Sequence, residues 1–136
     1  MNTVVQKDVF GCGIACTASV LSLNYEKAKN LFSNFKRANN MGFLCKDIVA
    51  VLKKKSLAYE YKYIKSKIRR QIYKPGTIVF IARSKKYFAG HYLTRVSKMK
   101  WMDPWINFPS DITRAKSGFR KKLPGKPIYA ILPLQK

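Results

Sequence analysis

Gln6-Lys7-Asp8-Val9-Phe10-Gly11-Cys12-Gly13-Ile14-Ala15-Cys16-Thr17-Ala18-Ser19-Val20-Leu21-Ser22-Leu23 sets a tight turn against a run of small and apolar residues. Gly11 and Gly13 flank Cys12, and a helix is predicted to start directly after them. Residues 14–23 are small or apolar on every side, which suits a helix buried in the middle of a domain rather than one lying on its surface. Asn24 ends it. A thiol at a helix N-terminus faces unpaired backbone N–H groups and the positive end of the macrodipole, and both favour the thiolate. The competing reading is a small residue packed at a turn, because free cysteine is among the most buried residue types.

Working outward, residues 25–36 place Tyr25, Ala28, Leu31, Phe32 and Phe35 at helical spacing, with a basic outer face. Residues 39–42 read as a loop. Residues 43–54 are helical again, through Leu44, Ile48, Val49, Val51 and Leu52. The period then changes to two: Tyr59, Tyr61 and Tyr63 alternate with Glu60 and Lys62, predicting a strand with one packed face. Residues 65–73 read as a short basic helical turn, and Lys74-Pro75-Gly76 as the turn before a buried strand at 77–82. Residues 91–96, 98–102 and 127–132 complete the strands. Helices come first and antiparallel strands follow, so the fold class is α+β. The chain has no repeat, low-complexity tract or Pro/Gly/Ser linker, and its 136 residues predict one domain spanning 1–136.

With 28 Lys plus Arg against 6 Asp plus Glu, the formal charge is +22, while 47% of residues are hydrophobic and 13% aromatic. That apolar content excludes a disordered basic tail. No apolar stretch in the middle of the chain is longer than residues 78–82, far short of the roughly 20 residues of a membrane span. The opening Met1-Asn2-Thr3-Val4-Val5-Gln6-Lys7-Asp8 lacks the basic-then-apolar build of a secretion signal, so a cytoplasmic protein is expected. Cys12, Cys16 and Cys45 are an odd set and are expected as free thiols in a reducing compartment. Cys16 is expected in the core and Cys45 buried in the second helix. Structural zinc prefers close cysteine pairs on turns, whereas here two cysteines share a helix and Cys45 and His91 stand alone; no metal or cofactor is expected.

His91 is the only histidine, set between Gly90 and the apolar Tyr92-Leu93. A neutral imidazole beside a thiol can take its proton and leave a thiolate–imidazolium pair; equally, one histidine can be an idle core or surface residue. Asp103 lies in Trp101-Met102-Asp103-Pro104-Trp105, at a strand end between large rings, where a carboxylate that orients a base would be shielded from water. Aspartate before proline is also a common turn starter. Gln6 carries an amide N–H that can join the backbone N–H of Cys12 around a developing oxyanion.

Taken together, Gln6-x5-Cys12-Gly13-x-Ala15-Cys16, then Gly90-His91-Tyr92, then Asp103-Pro104 resemble the papain-like cysteine peptidases that cut bacteriocin leader peptides after a double glycine. Met41-Gly42-Phe43 resembles that family's turn before its second helix. The resemblance implies a papain-like fold with N-terminal helices packed on an antiparallel sheet, and a peptide or protein substrate. It also implies Cys12 as nucleophile, His91 as general base and acid, Asp103 as orienting carboxylate and Gln6 as oxyanion donor. Gly11 departs from the pattern, since members often have an acid just before the cysteine. No transporter segment follows within these residues, which leaves the substrate open.

The charge supports a second class of function. Residues 53–74 hold nine Lys or Arg and one acid, and residues 114–126 hold six and none. Such runs are often only solvated faces, yet a balance of +22 repels itself unless an anion is near. RNA or another polyanion is the expected partner, with Lys53, Lys54, Lys55, Arg69, Arg70, Arg120, Lys121 and Lys122 as candidate contacts. On this alternative the chain is a nucleic-acid-binding protein on the same scaffold: a ribonuclease, a toxin or an inactive structural component. The oligomeric state is left open.

Overall fold

The computed structural model describes residues 1–134. Three α-helices come first: α1 (Cys12–Leu21), α2 (Tyr25–Lys29) and α3 (Cys45–Lys54), with a 3-10 turn at Phe35–Asn39. Six strands follow: β1 (Tyr59–Tyr63), β2 (Ile78–Ile81), β3 (His91–Ser97), β4 (Lys100–Asp103), β5 (Gly118–Arg120) and β6 (Pro127–Pro133). They form one antiparallel sheet in the order β1-β6-β2-β3-β4-β5. The α+β class expected from the sequence is what the chain adopts.

Helix α1 is buried from Gly13 through Ser19, as its composition requires. Its few polar side chains are satisfied locally: the Thr17 hydroxyl donates to the Gly13 carbonyl at 2.8 Å, and the Ser19 hydroxyl to the Asn2 carbonyl at 2.8 Å. Gly11 precedes the helix because a side chain there would overlap the Tyr25 hydroxyl, which donates to Asp8 at 2.6 Å.

The sheet has a core on each face. Ile78, Tyr92, Met102 and Ile131 pack against the helices, with Ile14, Phe32, Ile48 and Leu52 among their partners. On the other face Val79, Ile81, Leu93, Trp101 and Leu132 are covered by Ile64, Ile68, Ile72 and Leu123. The basic segment after β1 turns its isoleucines inward at every fourth position and leaves Lys65, Lys67, Arg69 and Arg70 exposed.

Four expectations need correction. The helix predicted over residues 25–36 stops at Lys29. Asn30, Ser33 and Asn34 favour local turns over helix, and the break lets Phe32 pack against Phe43, the rings tilted by 49° with centres 4.6 Å apart. The tyrosine strand is not packed along one face: Tyr59 is half-buried and donates to the Gly76 carbonyl, but Tyr61 and Tyr63, farther along this edge strand, are exposed. Cys45 is the first residue of α3 and is only partly buried. Strand β5 was not foreseen; its three residues carry no alternation that could announce them.

Candidate active site

Helix α1 presents Cys12 at its N-terminus, partly exposed, in the first turn whose N–H groups have no intrahelical acceptor. Strand β3 begins at His91 and packs against α1, which brings ring and thiol together. Gly90, just before it, has φ +76, and any side chain there would overlap the Phe80 ring; glycine is what lets the chain turn into β3 at this point.

Strand β4 runs antiparallel to β3 and ends at Asp103, so the hairpin carries Asp103 back to His91. His91 Nε2 lies 2.7 Å from Asp103 Oδ1. Asp103 is fully buried, and each of its oxygens is used: Oδ1 also accepts the Trp105 backbone N–H at 3.0 Å, and Oδ2 accepts Arg120 Nε at 2.7 Å. Burial opposes ionisation of Asp103, but the bonds from His91, Arg120 and Trp105 outweigh it and hold the carboxyl below its ordinary value. Burial likewise opposes protonation of His91. The Asp103 bond and the Cys12 thiol reverse that effect and push its pKa up to about 9. With Nε2 committed to Asp103, Nδ1 is the ring nitrogen left to serve Cys12. Tyr87 stacks on the imidazole at 4.9 Å and 12° between planes, and Phe108 stacks on Tyr87 in turn.

Gln6 ties the segment before Cys12 to the segment after Asp103, through its backbone N–H to the Pro104 carbonyl at 3.1 Å. Its side-chain Nε2 donates to the Asp8 and Val9 carbonyls, both at 3.1 Å, while Oε1 is buried without a partner. Gln6, Cys12 and His91 line one cleft of about 240 Å³, walled by Phe10, Phe43 and Phe88. Among the described residues, Arg83 is the one Lys or Arg on its lining, and no acid lines it. The Met41-Gly42-Phe43 turn closes one side: Gly42 has φ +77, and the Phe43 carbonyl accepts the Tyr92 hydroxyl at 2.8 Å. Cys45 contacts that same hydroxyl at 3.7 Å, whereas Cys16 is wholly buried in α1, where desolvation pushes its pKa well up.

No protein-family model and no curated protein sequence matches the chain. Among the described residues, no helix is long and apolar enough to cross a membrane, and no group of His, Cys, Asp and Glu is arranged to hold a metal ion.

The residues named from the sequence divide into two groups. Cys12, His91, Asp103 and Gln6 come together at one end of the sheet. The basic candidates do not form one site. Lys53 and Lys54 end α3 and Lys55 follows it, with Lys54 Nζ donating to the Leu31 carbonyl at 2.8 Å. Arg69, Arg70, Lys121 and Lys122 are exposed on the segments that cover the opposite core. Arg120 is turned inward onto Asp103, since a buried carboxylate draws the nearest guanidinium; it was hidden in the sequence by the basic run around it. Tyr87 was also missed, having no signal beyond being an aromatic residue near His91.

Proposed function

We propose that the chain is a papain-like thiol hydrolase, resembling the double-glycine leader peptidases, that cleaves a peptide or amide bond through Cys12, His91 and Asp103. The observation that carries this is the buried 2.7 Å His91–Asp103 bond next to a cysteine at a helix N-terminus. In this reading His91 Nδ1 takes the Cys12 thiol proton, and the thiolate Sγ attacks the carbonyl carbon. Negative charge develops on the carbonyl oxygen and is met by N–H groups of the first turn of α1 and by one Nε2 hydrogen of Gln6, released from the Asp8 or Val9 carbonyl. The imidazolium gives its Nδ1 proton to the leaving amine, and a thioester remains on Cys12. His91 then takes a proton from water, hydroxide adds to the thioester, and the acid leaves with the thiolate restored. Asp103 stays ionised throughout and holds the ring by Nε2.

The test is mass spectrometry of the intact protein with peptides ending their acyl side in small residues. An acyl adduct confined to Cys12, absent from Cys12→Ala, is expected. A reactive Cys12 that forms no adduct with any peptide argues against a peptidase.

A second reading, contact with a polyanion, is favoured by one observation: two basic runs distant in sequence both cover the core on the sheet face opposite the helices. Ile68 and Leu123 belong to the same core there, and Lys65, Lys67, Lys121 and Lys122 around them are exposed. Such a face suits a phosphate backbone, with affinity that falls steeply with salt.

A further inference from the structure

Arg120 is the feature of the site that the hydrolase reading does not use. It comes from β5, a three-residue edge strand held to the sheet only by β4, where Trp101, Met102 and Asp103 pair with Arg120, Phe119 and Gly118. Its Nε–H donates to Asp103 Oδ2 at 2.7 Å, and its terminal nitrogen reaches the Ile106 carbonyl at 3.4 Å. The Asp103 side chain is 0% exposed and that of Arg120 is 23% exposed. Without Arg120, Oδ2 is a charged oxygen in the interior with no donor, a costly state.

We propose that Arg120 is a positioning residue for the reaction: acting through Asp103, it fixes the His91 ring against Cys12 and sets the pH at which that ring loses its proton. The inference rests on the hydrolase reading for its catalytic meaning, but its physical content is independent of any substrate. Two effects follow from the geometry. The Nε–H bond locks the carboxylate plane, so Oδ1 stays aimed at Nε2. The guanidinium also draws on the same carboxylate charge that stabilises the imidazolium, and as a nearby cation it disfavours a second positive charge on the ring. Neutralising Arg120 while the fold holds therefore moves the His91 titration upward, by about one pH unit or less at this spacing. Arg120→Lys keeps the cation but lacks the fixed planar donor.

His91 is the only histidine, so its ring nitrogens give one unambiguous set of resonances in a nitrogen-detected NMR titration. The expected result is a midpoint raised in Arg120→Gln and near wild type in Arg120→Lys. Both variants should alkylate at Cys12 about tenfold more slowly, in the range typical for residues one shell behind a reacting group. Should Arg120→Gln fail to fold, Arg120→Lys carries the test through its alkylation rate. A His91 midpoint and a Cys12 rate unchanged in every folded variant overturn the proposal. A shifted midpoint with no peptide ever cleaved leaves the Arg120 inference standing and removes the peptidase reading instead.

Discussion

Asp103 and Glu60 are both carboxylates on strands with a cation close by, and they sit in opposite worlds. Asp103, at the inner end of β4, is buried and bonded to His91 and Arg120, both at 2.7 Å. Glu60, on edge strand β1, meets Lys62 at 3.3 Å with both side chains well exposed. The first pair is dehydrated, so each partner depends on the other and removing one strands a charge in the interior. The second is solvated and screened, and contributes little. The same contrast runs through the whole sheet: β3 and β4 hold organised chemistry, while β1 displays Tyr61 and Tyr63 to solvent.

The largest expected effect is on reactivity. His91→Ala should slow carboxamidomethylation of Cys12 at pH 6 by about 100-fold or more, since without the imidazolium the thiol returns toward the free-thiol value of about 8.5 and little of it is thiolate at that pH. Quantifying the Cys12 peptide by mass spectrometry checks it, with buried Cys16 as the internal control.

Next comes stability. Asp103→Ala should cost about 3–5 kcal/mol by leaving His91 and Arg120 without their partner, whereas Glu60→Ala should fall within about 0.5 kcal/mol. Urea denaturation of the two variants side by side gives the comparison its sharpest form; equal losses would erase it.

A smaller effect is the pH dependence that His91 confers. Its pKa is raised in the folded state to about 9, against about 6.5 when unfolded. The folded chain therefore binds the extra proton between those values, and stability falls as pH rises through that window. The contribution is complete below about pH 6.5 and lost above about 9. Asp103 has the opposite sign: its pKa is lowered, so its contribution is lost as pH falls below the ordinary carboxylate range. Thermal melts of wild type and His91→Ala across pH 6–10 should converge at the alkaline end. A gap that stays constant would mean that His91 matters only through packing.

The smallest effect per residue belongs to the exposed charges. For a single-stranded RNA probe, log affinity against log salt should lose about 0.7 of slope for each lysine that contacts a phosphate. Replacing Lys65, Lys67, Lys121 and Lys122 with Gln should therefore flatten the slope, and replacing Lys53, Lys54 and Lys55 should not. Equal flattening by both sets would mean diffuse attraction rather than a binding face.

The same division decided what could be read from the sequence. The turn at Gly11-Cys12-Gly13, the small-residue helix and the strands at 77–82, 91–96 and 127–132 were legible because burial imposes composition and period on them. The meeting of Cys12, His91 and Asp103 was expected only from the resemblance to the double-glycine peptidases; spacing and residue type left open whether a strand turn returns Asp103 to His91, and the β3–β4 hairpin does so. Exposed segments obey weaker rules. Alternating tyrosines look alike on a central strand and on an edge, so Tyr61 and Tyr63 were read as packed. A run of lysines and arginines does not reveal which member turns inward, so Arg120 was taken with its neighbours. The short β5 has no period at all, and its place is set by pairing with β4 alone.

The central claim is that Cys12, His91 and Asp103 act as one nucleophilic unit. Its most direct test is the pH profile of Cys12 alkylation by iodoacetamide in wild type and His91→Ala. The account predicts rapid reaction well below pH 7 in wild type that is lost when His91 is removed. Profiles that coincide, both rising near the free-thiol value of about 8.5, would contradict it.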